Sequence, residues 1–145
     1  MNHNIELLSQ IYKDADMGAS ACNTLLEYIK DKNNKIKDTV EDILKEYESF
    51  KHKSVKLLEK EDTNYSENSI FSKMMSDMGI KKEVKADNSD SAIASMLIEG
   101  LNMGLINIEK NLKDYEDKTD HKVIKLSKDF KIFQNDAIEK LKKYL

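Results

Sequence analysis

Few side chains in this sequence could do chemistry. Of three histidines, two stand four residues after an acid, Glu48 with His52 and Asp117 with His121. That spacing puts both members of a pair on one helix face, where a carboxylate and an imidazole can share a proton or a metal ion. At about 100° per residue, however, His52 lies more than a right angle from the apolar positions Tyr47, Phe50 and Ser54, and His121 lies opposite Phe130 and Phe133. His3 likewise falls away from Ile5 and Leu8. Both pairs are expected on solvated outer faces. The single cysteine, Cys22, falls on an apolar stripe and reads as a small core residue before a reactive thiol. There is no Gly-rich phosphate loop, nucleophile elbow or Cys-x-x-Cys. The chain is expected not to be an enzyme.

Two features resist that plain reading. Glu99 is the only charge between Ser91 and Ile108, and it shares a side with Met96, Met103 and Ile106. Covered by a partner and left without a cation, it would be held as the neutral acid. With Asp16 reaching in from the flank, it could form a monocarboxylate metal site; as a rim residue it would pair with a lysine. The methionines are the second feature. Met74, Met75 and Met78, together with Met96 and Met103, form either an adaptable partner surface or gap-filling core.

These residues must be positioned by helices. Apolar residues recur at spacings of three and four in four long segments, with no alternating pattern to compete. The first carries Ile5, Leu8, Tyr12, Ala15, Ala19, Cys22, Leu26 and Ile29, and the second Ile36, Val40, Ile43, Tyr47, Phe50, Ser54 and Leu57. The third carries Ile93, Leu97, Leu101, Leu105, Ile108 and Leu112, and the fourth Val123, Leu126, Phe130, Phe133, Ala137 and Leu141. No proline interrupts them. Asn33 and Asn34 can cap the second helix, Asp87 or Ser89 the third, and Asp117 or Thr119 the fourth. The spacing predicts one domain, 1–145: a hairpin over about 4–61, a crossover over about 62–88 holding a short helix, and a second hairpin over about 89–145.

The halves echo one another. A shift of 86 lays Leu8, Ile11, Ala15, Ala19, Cys22 and Leu26 on Ala94, Leu97, Leu101, Leu105, Ile108 and Leu112, and Asp16-Met17-Gly18 on Asn102-Met103-Gly104. A shift of 83 lays Lys45-Glu46-Tyr47 on Lys128-Asp129-Phe130. This points to an internal duplication. Glycine within a helix costs about 1 kcal/mol relative to alanine, so Gly100 and Gly104 need compensation. The first and third helices are expected to come closest at Gly18 and Gly104, with Gly100 alongside. A small-ligand pocket lined by Tyr12, Tyr47, Phe130 and Phe133 is also compatible with the pattern.

The composition limits the partners. The net charge is -3, 35% of residues are charged, and every basic residue is lysine. Without arginine's bidentate fork or a basic stripe, nucleic-acid binding is not expected. The third segment is long enough to invite a membrane reading. Against insertion stand its central acid, Asn102, Asn107, Gly100, Gly104 and its match to an ordinary amphipathic helix. Met1-Asn2-His3-Asn4 leads straight into an amphipathic pattern, so a cytoplasmic protein is expected.

Two antiparallel hairpins joined by a long crossover resemble bacterial ferritin-like proteins, including the spore-coat F type, over nearly the whole chain. The resemblance is architectural and implies an all-α, ferritin-like four-helix bundle. Di-iron members of that superfamily use a glutamate from each of two helices and a Glu-x-x-His from each of the others. This sequence has no Glu-x-x-His: Glu46 is followed three on by Ser49, Asp129 by Ile132, and the counterpart of Glu99 is Lys13. No cofactor is therefore expected, and a metal is not favoured. The expectation is a non-catalytic bundle acting through protein contacts, as a homo-oligomer or with a protein partner. A divergent metal-binding or redox carboxylate protein is the alternative.

Overall fold

The computed structural model describes residues 3–61 and 87–145. Four long helices account for most of them: α1 (Asn4–Ile29), α2 (Lys37–Glu59), α3 (Asp90–Tyr115) and α4 (His121–Lys142), with one 3-10 turn at Glu116–Lys118. Among the described residues there is no strand. The short helix expected in the crossover, with Met74, Met75 and Met78, lies outside the described residues.

Each helix buries one stripe. Leu8, Tyr12, Ala15 and Cys22 of α1, Val40 and Leu58 of α2, Ile93, Leu101 and Ile108 of α3, and Phe130 and Leu141 of α4 share a single core. The stripe on α1 is turned slightly from the expected one: Leu25 is buried and Leu26 only partly so. On α2, Leu58 takes the place expected for Leu57. α1 packs against α2 and α3, and α4 against α3 and α2, so α1 and α4 lie across a diagonal, as do α2 and α3. Between α2 and α4 the seam is aromatic: the Phe50 and Phe130 rings meet edge-on at 5.0 Å, and Tyr47 meets Phe133 the same way at 5.0 Å. α3 is the one described helix long and apolar enough, by length and composition, to cross a membrane. Its buried residues Ile93, Leu97, Leu101, Leu105, Ile108 and Leu112 all belong to the common core.

The helix ends are tied by polar side chains. Asn4, the first residue of α1, is 2% exposed. Its amide donates to Glu61 and to Asp120 at 2.8 Å each, and its carbonyl oxygen accepts the backbone N–H of Asp120 at 2.9 Å. At the opposite end, Asp90, the first residue of α3, accepts from the Asn34 amide at 2.9 Å and from the Lys35 backbone N–H at 3.1 Å. Thr39 and Tyr144 join the start of α2 to the end of α4 there, at 2.8 Å. These contacts fix the directions: α1 and α4 start at one end, and α2 and α3 start at the other.

The caps differ in part from expectation. Ser89 caps α3, accepting from the Ala92 N–H at 3.2 Å. Asn34 instead donates to the Asn88 carbonyl and to Asp90, because the chain between α1 and α2 lies against the start of α3. The residue before α4 is Asp120. Asp117 falls in the 3-10 turn, and Thr119 donates its hydroxyl to the Tyr115 carbonyl at 2.6 Å. His3, expected to face outward, is 7% exposed and stacks on Tyr115 with centroids 4.4 Å apart. It precedes the first helical turn, so the helical angle does not decide where its ring goes.

Hydrogen bonds to charged groups are worth about 1.5–3 kcal/mol each, more when loss leaves a buried partner unmet. Asn4→Ala should therefore lower stability by about 2–3 kcal/mol and Tm by roughly 5–10 °C. Thermal melts followed by circular dichroism check this; an unchanged Tm would mean that water replaces the clasp without loss.

Candidate functional site

The three helical glycines of the described chain lie together along the α1/α3 seam, and the groups nearest Gly18 and Gly104 are side chains from α2 and α4. A Cβ at Gly18 would collide with the Tyr47 ring, and one at Gly104 with the Gln134 side-chain amide. Gly100 faces open space, with nothing within 4 Å of such a Cβ. What compensates the missing side chains at Gly18 and Gly104 is the entry of long side chains from α2 and α4. What remains unfilled is a cavity of about 460 Å³ along the α1/α3 seam.

The cavity has a polar floor and an apolar mouth. Tyr47 is pinned from behind by the edge-on Phe133 ring, and Gln134 follows Phe133 on α4. Gln134 is 1% exposed, and its Oε1 has no hydrogen-bond partner. Asp14 enters from α1, with its Oδ2 3.8 Å from the position of a Gly104 Cβ. The Asp14 Oδ1 accepts from the Gln10 amide at 3.0 Å, while the buried Oδ2 likewise has no partner. Both residues line the same space, each with one buried oxygen that has no hydrogen-bond partner, and buried acceptors are almost always met. Around the mouth stand Met96, half-buried, and Met17 and Met103, 43% and 64% exposed.

Burial pushes the Asp14 carboxyl up to about 6, against the opposing pull of the Gln10 hydrogen bond, the Lys13 charge and a hydrogen bond from the Asn107 side chain. Burial also holds the Tyr47 phenol above its ordinary range, reinforced by Cys22 and Asp14. The Cys22 thiol, fully buried, is pushed up to about 12, which keeps it protonated and unreactive.

The residues singled out in the sequence fall elsewhere or only partly here. Asp16 is 8% exposed and pairs with Lys51 Nζ at 2.8 Å, facing α2. Glu99 is exposed, because no described element covers that side of α3. Asp16 is thus engaged toward α2 while Glu99 stands exposed on α3, and the two form no joint site. Among the described residues no group of three or more His, Cys, Asp or Glu is placed to hold a metal ion. His52 and His121 are exposed. Met96 and Met103 line the cavity, while Ile106 is 65% exposed on the outer side of α3. Of the proposed aromatic pocket, Tyr47 alone lines this cavity. Tyr12 and Phe130 are fully buried core, and Phe133 lines a separate charged groove between α2 and α4.

Asp14, Gln134 and Asn107 were not anticipated. A signal existed for Gln134: it lies four residues after Phe130 and three before Ala137, a polar interruption on the core face of α4. Asp14, three after Ile11 and four before Gly18, interrupts α1 in the same way.

Unfolded, Asp14 titrates near 3.8; folded, near 6. The folded state holds the proton more tightly, so this contribution to stability is complete below about pH 4 and is lost as pH rises through 6. The facing groups are Lys13 from α1, Tyr47 from α2, Asn107 from α3 and Gln134 from α4; of these only Lys13 is charged in this range. Ionised Asp14 should cost the fold on the order of 2 kcal/mol at pH 8. Asp14→Asn should accordingly raise Tm by about 3–6 °C at pH 8 and by little at pH 4. Equal gains at both pH values would show that the carboxyl is not the source.

Comparisons with protein-family models, with curated proteins and with solved structures found no match to this chain.

Proposed function

We propose that this chain is a non-catalytic binding protein on a ferritin-like four-helix bundle, and that its working part is the cavity between α1 and α3. The observation that carries the reading is the pair of donorless acceptors, Asp14 Oδ2 and Gln134 Oε1, at the floor of about 460 Å³ of unfilled space. Cavities of roughly 300–1,000 Å³, mostly apolar with a few convergent polar groups, are the usual form of a small-ligand site. A non-catalytic role is supported by the chemistry of the lining. Among the described residues, the cavity is lined by one carboxylate, Asp14, and by no histidine, cysteine or serine.

The ferritin-like kinship is supported by the helix directions, in which α2 and α3, consecutive in the chain, run the same way across a diagonal instead of alternating. The clasps support duplication. Asn4 and Asp90 stand 86 apart, as do Asn34 and Asp120, so Asn4 with Asp120 at one end answers Asp90 with Asn34 at the other.

Indole, a neutral probe, should enter the cavity. Three of the four glycines line it, so their amide resonances report occupancy directly. Titration should shift the Gly18, Gly100 and Gly104 signals saturably, and Gly100→Leu, which fills open space, should abolish the effect. Absence of a saturable shift in the unaltered chain would overturn the reading.

A second reading, contact with another protein, is favoured by Met103 and Ile106, 64% and 65% exposed on α3. If a second copy covers them, sedimentation equilibrium should give a dimer that Ile106→Lys converts to monomer. A monomer at high concentration would remove the dimer.

A further inference from the structure

We infer that the cavity takes a primary amine carrying an aromatic group, with the ammonium on Asp14 and Gln134 and the ring among the methionines at the mouth. This rests on the reading of the cavity as a ligand site and names the chemistry that site selects.

The floor decides the polar end. Asp14 Oδ2 and Gln134 Oε1 are both buried acceptors without a partner, and Gln134 is 99% removed from solvent at 1% exposure. A group that meets both must bring at least two donors. An ammonium brings three and no acceptor. A hydroxyl brings one, and a carboxylate brings none and would face Asp14 with like charge. Above pH 6 Asp14 is ionised in a space that disfavours its charge, so a cation is the complement that the protein itself leaves out. Lys13 stands at the rim and lowers the Asp14 carboxyl only as a secondary influence, and its side chain is exposed.

The mouth decides the other end. Met17, Met96 and Met103 surround it, with Leu97 and the Tyr47 ring deeper in. Thioether sulfur makes favourable contacts with aromatic ring edges and adapts to irregular shapes. Gly100 leaves the space beside them free, so a flat ring can lie where a side chain would otherwise stand.

The test compares three probes that share a phenethyl group by isothermal titration calorimetry at pH 7.5 on the full chain: phenethylamine, 2-phenylethanol and 3-phenylpropanoate. The amine should bind at least tenfold more tightly than the alcohol, and the acid should not bind. Asp14→Asn should cost the amine at least tenfold, and Gln134→Leu severalfold, with folding of each variant verified by its melt. Two results overturn the amine assignment while leaving the cavity reading intact: equal affinity for amine and alcohol, or undiminished amine binding to Asp14→Asn. Failure of all three probes, together with failure of indole to shift the glycine signals, would overturn both.

Discussion

Where α1 and α3 run side by side, each lacks side chains at the level where they would meet. Gly18 lets the Tyr47 ring pass beneath it, and Gly104 lets the Gln134 amide do the same. Substituting either glycine would drive a methyl group into a residue from the opposite pair of helices. The placement of Tyr47 and Gln134, the loss of solvent around Asp14 and the opening at Gly100 all follow from this substitution of long side chains across the bundle for short ones within the seam. The space of about 460 Å³ opens to solvent beside Met17 and Met103, so it is a cleft in the seam and not a void inside the close-packed core.

The rest of the molecule compensates for that loosened seam. The aromatic seam of Tyr47, Phe50, Phe130 and Phe133 joins α2 to α4 on the far side. The end clasps hold the register from both directions. Their donors and acceptors belong to different hairpins, so neither hairpin can slide along the other without breaking Asn4 to Asp120 or Asn34 to Asp90. Buried polar groups that are fully met specify an arrangement more strictly than apolar contacts do, and the clasps act in this way. Buried polar groups that are unmet, such as Asp14 Oδ2 and Gln134 Oε1, weaken the fold.

Glycine illustrates the difference between local and tertiary reasons. From the sequence, three helical glycines suggest close backbone approach, because that is the commonest return for their cost. In the structure, Gly18 and Gly104 admit side chains and Gly100 admits nothing. The register explains why: the residue beneath Gly104 is Gln134, one helical turn beyond Phe130, the counterpart of Tyr47 under the shift of 83. The contact of Gly104 with Gln134 is thus polar where that of Gly18 with Tyr47 is aromatic.

What the sequence determined by itself is everything that depends on one helix at a time. Period 3.6 stripes, the absence of proline and the short polar interruptions at Asn33–Asn34 and Asp117–Thr119 specify four helices and the face each one buries. They also place His52 and His121 outside and Cys22 inside. What only the tertiary structure decided is whatever depends on two helices at once. The pairing of Asp16 with Lys51, the exposure of Glu99 and the convergence of Asp14, Gln134 and Tyr47 are set by which turn of one helix lies against which turn of the next. A stripe repeats every turn or so, and a slide by one turn preserves its apolar match while exchanging every polar neighbour. For that reason the fold class was legible in the sequence and the site was not.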